Sequence, residues 1–199
     1  VADLDVDGDD DIIYTSYADD FIALSKNDGA SNPSWSSSTI ISNIDGPDDV
    51  IIADLNSDGK MDLVSIANAS YDSKIYWHEN DGSSNPSWNS IEITKPNGEK
   101  THDIGVADMD NDGDLDIVSA ENSIVWYENT MEKGKLGDFI EEILTDNSMI
   151  PHSTDEVGVA DMDNDGDLDI VLAANNSGES TSGVFWIENN RNNSWTLKR

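Results

Sequence analysis

Aspartates recur at fixed short intervals in four stretches of the chain. In residues 161–169, Asp stands at relative positions 1, 3, 5 and 9, and Gly166 stands at position 6. Alternate side chains of a tightly curled loop converge on one point, and glycine permits the positive φ of a sharp turn. With the carbonyl oxygen of position 7, these carboxylates form an all-oxygen shell. Such a shell suits Ca²⁺, whereas Zn²⁺ prefers His or Cys and Mg²⁺ retains more water.

The same frame begins at Asp3, Asp54 and Asp108, and we call the four stretches the first to fourth acidic loops. The second loop has Asn56 at position 3 and Lys60 at position 7, so we expect it to lose calcium first. A metal-free acidic turn is the alternative for one loop, but the repetition favours about four Ca²⁺ ions. The predicted site residues, with position 7 included for its carbonyl oxygen, are Asp3, Asp5, Asp7, Asp9 and Asp11; Asp54, Asn56, Asp58, Lys60 and Asp62; Asp108, Asp110, Asp112, Asp114 and Asp116; and Asp161, Asp163, Asp165, Asp167 and Asp169.

The residues around the acidic loops predict strands and not helices. A helix–loop–helix calcium motif would have a bidentate Glu at position 12, where this chain has Tyr14, Ser65, Ser119 and Leu172 in apolar runs. The loops recur at intervals of roughly 50 residues, which is typical of β-propeller blades with four short strands each. The calcium loops therefore lie between the first and second strands of each blade.

The predicted fold is an all-β propeller of about four four-stranded blades in one domain over residues 1–199. The blades cover approximately residues 1–47, 48–101, 102–154 and 155–199. An aromatic residue opens the fourth strand of each blade, and the first blade keeps only Val1 and Ala2 of its innermost strand. The aromatic residues that open the fourth strands are Trp35, Trp88, Phe139 and Trp195.

The pattern Val-Ala-Asp-x-Asp-x-Asp-Gly-Asp-x-Asp-Ile-Val resembles the FG-GAP/VCBS repeat family, whose blades also form the head of integrin α-subunits. The resemblance implies calcium-stabilised propellers of about six to eight blades on secreted or cell-surface proteins. Four blades form either a closed ring or an arc of a larger propeller. Because the chain has no cysteine to lock a four-blade ring, we expect further chain or other subunits to complete the circle.

Composition restricts the partners and the location of the protein. The chain has ten Lys and Arg residues and 42 Asp and Glu residues, and the resulting formal net charge of −32 disfavours binding to nucleic acid and to anionic membranes. No apolar run approaches the roughly 18 residues of a membrane span, so membrane insertion is not expected. Calcium loops of this type fill at extracellular calcium levels, which indicates secretion or cell-surface display. Because Val1 stands inside a repeat, we expect a processed chain or part of a longer one.

Three tryptophans, Trp77, Trp126 and Trp186, recur in the predicted third strands. Their neighbours on the opposite sheet face are also apolar, so packing between blades is the favoured interpretation, and an aromatic platform for sugars is the alternative. The third strands of three blades end in Glu-Asn, whereas the first blade has Lys26-Asn27. A group repeated in this way is more often structural than catalytic.

Acidic and polar residues precede the innermost strands and would form a negative collar at one mouth of a propeller channel. Either these are solvated strand ends, or they bind a cation or polar ligand. The aligned residues of this acidic collar are Asp49, Asp103 and Glu156, with Asp48, His102 and Asp155 beside them.

No nucleophile elbow, phosphate loop or zinc motif is present, and the histidines (His78, His102 and His152) lack zinc-ligand spacing. The favoured hypothesis is therefore a non-catalytic binding or adhesion module with a protein or glycan ligand. The propeller of a secreted polysaccharide-degrading enzyme is one alternative, hinted at only by the region of His102 and His152. A structural subunit of an extracellular surface layer or filament is another alternative.

Overall fold

A computed structural model describes the greater part of the chain. The described residues are 1–68, 73–94, 101–120, 123–130, 138–145, 154–174, 183–191 and 194–198, and they contain strands and no helix. One of the three histidines, His152, lies outside them. The all-β prediction is confirmed for the part of the chain that the structure describes.

Four antiparallel sheets, which correspond to the predicted blades, contain all the strands of the described residues. Blade one contains β1 (Ile12–Ser16), β2 (Phe21–Asn27) and β3 (Trp35–Ser42). Blade two contains β4 (Pro47–Ala53), β5 (Asp62–Ala67), β6 (Lys74–Asn80) and β7 (Trp88–Thr94). Blade three contains β8 (Asp103–Ala107), β9 (Asp116–Ala120), β10 (Ile124–Asn129) and β11 (Phe139–Ile143). Blade four contains β12 (Thr154–Ala160), β13 (Asp169–Ala174), β14 (Gly183–Asn189) and β15 (Trp195–Lys198).

Strands that follow one another in the chain pair with one another in every sheet. The second, third and fourth acidic loops join the first strand of their blade to the second, as the repeat predicted. Each of the four aromatic residues expected to open a fourth strand is the first residue of β3, β7, β11 or β15. Short apolar runs thus predicted the strands, as at Asp62–Ala67, where every residue is buried.

The first strand of blade one is reduced to a single bridge. Ala2 and Asp11 exchange backbone hydrogen bonds, with N···O distances of 3.3 and 2.8 Å, across the first acidic loop. The remaining strands of this blade form a three-stranded sheet. The first loop is therefore closed by the same kind of pairing as the others, although Val1 and Ala2 are all that remain of the strand before it.

The described residues divide into two compact units, Val1–Gly98 and Glu99–Arg199, each with two blades. The prediction of one domain over residues 1–199 stays a prediction. In the second unit, Met109, Trp126, Ile170 and Phe185 belong to one buried core between blades three and four. Each large apolar side chain removed from water there contributes about 1.5–3 kcal/mol. The corresponding core of the first unit is formed by Ile22, Ile41, Ile44, Leu63 and Ala67.

The third-strand tryptophans differ in burial. Trp77 and Trp126 are each 1 % exposed, so their rings serve as core and do not present a sugar platform. Trp126 packs edge-to-face on Trp195, with ring centroids 5.7 Å apart. Trp186 is half-buried, and the ammonium of Lys198 lies 5.9 Å from its ring centroid. Packing between blades is therefore observed for Trp126, whereas Trp77 is buried and donates to Asp62 of its own blade at 2.9 Å.

Candidate metal centre

All four acidic loops share one backbone conformation. The residue at position 4 has a positive φ in each loop, with 62° at Val6, 54° at Ser57 and 62° at both Asn111 and Asn164. The glycine at position 6 follows with φ between 89° and 99°, and no heavy atom lies within 4 Å of the site that a Cβ would occupy. Glycine is thus required by the backbone angle and not by crowding, because L side chains rarely adopt this angle.

Carboxylates inside each loop hold this curled backbone. In the fourth loop, Asp161 at position 1 accepts the N–H groups of Asp165 and Gly166, both at 3.1 Å. Asp163 at position 3 accepts the Asp165 N–H at 3.2 Å, and Asp165 in turn accepts the N–H of Asp167 at 3.0 Å. The third loop repeats every one of these bonds. The loops are therefore ordered around inward-facing carboxylates by their own amides.

Three of the loops bring carboxylates from positions 1, 3 and 9 together. Within each cluster, one oxygen from every residue lies within 4.8 Å of the others. Position 5 is outside these clusters, although it was predicted as a ligand. The second loop has no three-carboxylate cluster among the described residues, because Asn56 replaces the acid at position 3. The clusters are Asp3, Asp5 and Asp11; Asp108, Asp110 and Asp116; and Asp161, Asp163 and Asp169.

The Asp at position 9 has a structural role that its spacing alone did not reveal. Asp116 is 1 % exposed, and it accepts the N–H of Met109 in its own loop at 3.0 Å. Its second oxygen accepts the N–H of Asn129, the last residue of the third strand, at 2.8 Å. Asp169 makes the same pair of bonds to Met162 and Asn189, each at 2.9 Å. This carboxylate therefore ties the loop to the third strand of its blade.

In blades two and four, the Asn that ends the third strand extends this link to the preceding blade. In the second unit, the Asn189 amide donates to the Met109 carbonyl of blade three at 2.8 Å. In the first unit, the Asn80 amide donates to the Leu4 carbonyl of blade one at 3.3 Å. The structural interpretation of this repeated Asn is consistent with these bonds. The carbonyl that accepts this bond is determined by how the two blades pack, which the spacing of residues in the sequence does not show.

Burial without a cation perturbs the carboxyls at position 9. Burial raises the pKa of Asp116 to about 7 and that of Asp62 to about 6, although backbone N–H groups oppose the rise. Burial also raises the pKa of Asp11, and the Asp5 and Asp7 carboxylates add to this rise. A cation bound among these groups would favour their ionised forms.

The residues of the loops fit a hard divalent cation. Asp5 is 6 % exposed, and its Oδ1 is buried and has no hydrogen-bond partner in the protein. A buried carboxylate oxygen without a partner is costly, and a cation would satisfy it. The donor set consists only of carboxylate, amide and carbonyl oxygens, which suits Ca²⁺.

The calcium-free chain is expected to melt at a higher temperature at about pH 5.5 than at about pH 7.5. Asp62 and Asp116 have folded-state pKa values raised above the ordinary 3.8. Their favourable contribution is therefore complete below about pH 4 and is lost as the pH rises through about 6 to 7. Thermal melts in chelator measure the difference, and Asp116→Asn should reduce it. A calcium-free chain that is more stable at the higher pH would contradict this interpretation.

Other candidate residues have structural partners. The His78 ring is buried between the hydroxyls of Ser65 and Ser90, at 2.8 and 2.7 Å, and burial lowers its pKa to about 4. The Asp103 carboxylate accepts the Val157 N–H at 2.8 Å and so joins the innermost strands of blades three and four. His78 is thus a neutral core residue, and this member of the acidic collar has a role in packing.

Several cavities and ion pairs lie beside the loops. In the second unit, a cavity of about 470 Å³ is lined by loop residues such as Asp110 and by Trp126, Arg191 and Trp195. The Arg191 guanidinium pairs with Asp167 at position 7 of the fourth loop. In the first unit, the ammonium of Lys26 contacts a carboxylate of the first loop, and the ammonium of Lys60 contacts a carboxylate of the second.

Comparison with known proteins gives one match. The family model described as FG-GAP-like repeat matches residues 3–65 and 56–119, which contain the first three acidic loops. No curated protein matches the chain. Within the described residues, no helix has the length and apolar character that crossing a membrane requires.

Proposed function

Because the chain belongs to the FG-GAP-like repeat family, we propose that it is a non-catalytic calcium-binding β-propeller module of a secreted or cell-surface protein. Its role is adhesion or the binding of a protein or glycan ligand. The observation that carries the calcium proposal is the recurrence of one carboxylate cluster at positions 1, 3 and 9 in three loops of equal backbone conformation.

In each loop, the side chains of positions 1, 3, 5 and 9 and the carbonyl of position 7 would hold the ion. Ca²⁺ supplies the positive charge that allows several carboxylates to lie close together. The loop amides orient positions 1 and 3, as in Asp161 and Asp163, and the N–H groups of Met162 and Asn189 fix Asp169. Filling a loop therefore stabilises its blade and, in blades two and four, the link to the preceding blade.

The extracellular location follows from the calcium levels that such loops require. Extracellular calcium modules have dissociation constants of about 10⁻⁴–10⁻³ M, which cytosolic calcium does not reach. The excess of acidic residues, with a formal net charge of −32, favours cationic or neutral ligands over nucleic acid. A neutral glycan or a basic protein surface meets this condition.

A glycan array probed with the chain tests the binding proposal. We expect glycan binding in millimolar calcium and its loss in chelator, because calcium orders the loops. Chelator that has been saturated with calcium beforehand is the control and should leave binding unchanged. Release of new reducing ends from a polysaccharide would overturn the non-catalytic assignment in favour of an enzyme. Open-ended particles of large mass would favour the structural subunit.

A further inference from the structure

The charge of the third-strand residue beside the acidic loop differs between the blades. The residue before the terminal Asn of each third strand is Lys26 in blade one and Glu in the other blades. Strand register shows that these positions are equivalent, because the following Asn always pairs with the first residue of the fourth strand. The equivalent glutamates are Glu79, Glu128 and Glu188.

Lys26 contacts a carboxylate of the first loop. Its Nζ lies 3.0 Å from Oδ2 of Asp5, the position-3 residue, and it also donates to the Ser84 carbonyl at 3.0 Å. The Asp5 side chain is only 8 % exposed, so water screens this pair weakly. One oxygen of Asp5 is thus held by an ammonium, and Oδ1 is left for an ion.

The glutamates of blades three and four place a negative charge at the same position. The Asp110 and Asp112 carboxylates of the third loop lie near enough to Glu128 to raise its pKa, in addition to the effect of burial. In blade four, the equivalent Glu188 is paired with Lys198, whose Nζ lies 2.9 Å from its Oε2, and the Arg191 guanidinium contacts Asp167 of the fourth loop. The third loop therefore has a further carboxylate beside it, where the first loop has an ammonium.

We propose that the residue before the third-strand Asn tunes the calcium affinity of its loop, so that Lys26 makes the first loop bind calcium more weakly than the third loop. This inference rests on the proposed calcium-binding function. Lys26 acts as a built-in counter-ion that neutralises part of the first loop, whereas Glu128 strengthens the field that attracts a divalent ion to the third loop.

The second loop also belongs to the weak group. It has Asn56 in place of a carboxylate, and Lys60 at position 7 contacts Asp58 at 3.0 Å. Both weak loops lie in the unit Val1–Gly98, whereas the third loop lies in the unit Glu99–Arg199.

Calorimetric titration of the intact calcium-free chain with CaCl₂ tests the proposal. We expect the first and second loops of the wild type to bind calcium weakly and the third to bind it tightly, and Lys26→Glu should turn one weak site into a tight one. The affected site should gain at least about tenfold in affinity, since the substitution changes the local charge by two units beside a divalent ion. The reciprocal variant Glu128→Lys should convert one tight site into a weak one by a similar factor.

Lys74→Glu is the matched control, because Lys74 is paired with Glu92 at the other end of a third strand. It should leave the calcium affinity of every site unchanged. Four equal sites in the wild type, or unchanged affinities in both Lys26→Glu and Glu128→Lys, would overturn this proposal while calcium binding itself stands. A wild-type chain that takes up no calcium at all would instead overturn the proposed function.

Discussion

Removal of calcium is expected to lower the melting temperature of the chain by roughly 10–20 °C. At free calcium about tenfold above the dissociation constant of the weakest loop, each site adds at least about 1.4 kcal/mol to the free energy of unfolding. Four sites add at least about 5–6 kcal/mol, which is comparable to the stability of an ordinary domain. The effect is large because, without a cation, each loop holds like charges close together. Thermal melts in calcium and in chelator measure it.

Two controls separate calcium binding from general charge screening. Added NaCl should not replace calcium in the melts, because monovalent ions screen charge without occupying the loops. Asp114→Asn, which removes a carboxylate that is not a side-chain ligand, should keep the response to chelator. Asp112→Asn should weaken the response to chelator, since it removes the side-chain carboxylate ligand at position 5 of the third loop. Identical melting curves with and without excess chelator would refute a structural role for calcium.

Asp169→Ala is expected to destabilise the chain by about 3–5 kcal/mol, considerably more than Asp165→Ala. Both substitutions should empty the fourth loop and leave the other loops filled. Asp169 is 1 % exposed, and its loss also leaves the buried N–H groups of Met162 and Asn189 without their acceptor. Asp165 is exposed and accepts only a bond within the loop. Urea denaturation in the presence of calcium compares the two variants.

The comparison in chelator separates the two roles of Asp169. Without calcium, Asp165→Ala should be close to the wild type in free energy of unfolding, because its role as a ligand no longer matters. Asp169→Ala should remain less stable, since its backbone bonds do not require an ion. Equal stabilities of the two variants in chelator would show that the buried bonds of Asp169 contribute little.

Local sequence patterns predicted the strands and the loops, because both depend on short-range geometry. Short apolar runs define the strands, and Asp at alternate positions with Gly at position 6 defines a curled acidic loop. The start of each fourth strand was found from a single aromatic residue, as at Phe139. These features need only the residues within one blade.

Contacts between strands that are distant in the chain were not predictable in the same way. The bond from Asn189 to the Met109 carbonyl joins residues 80 positions apart, and it exists only because blades three and four pack together. The contact of Lys26 with Asp5 likewise depends on the position of β2 against the first loop. The sequence shows that Lys26 stands where the other blades have Glu, but it does not show that Lys26 contacts Asp5.

The pairing of consecutive strands within every sheet has a consequence for how the gene has changed. A blade is one continuous segment, so recombination can insert or delete a whole blade without rethreading any other. Blades three and four share the uninterrupted segment Gly-Val-Ala-Asp-Met-Asp-Asn-Asp-Gly-Asp-Leu-Asp-Ile-Val, at residues 105–118 and 158–171. Such identity is expected when one blade is copied as a unit, whereas Lys26 and Lys60 distinguish the first and second blades from this pair. Relatives of this chain are therefore expected to differ in length by whole repeats.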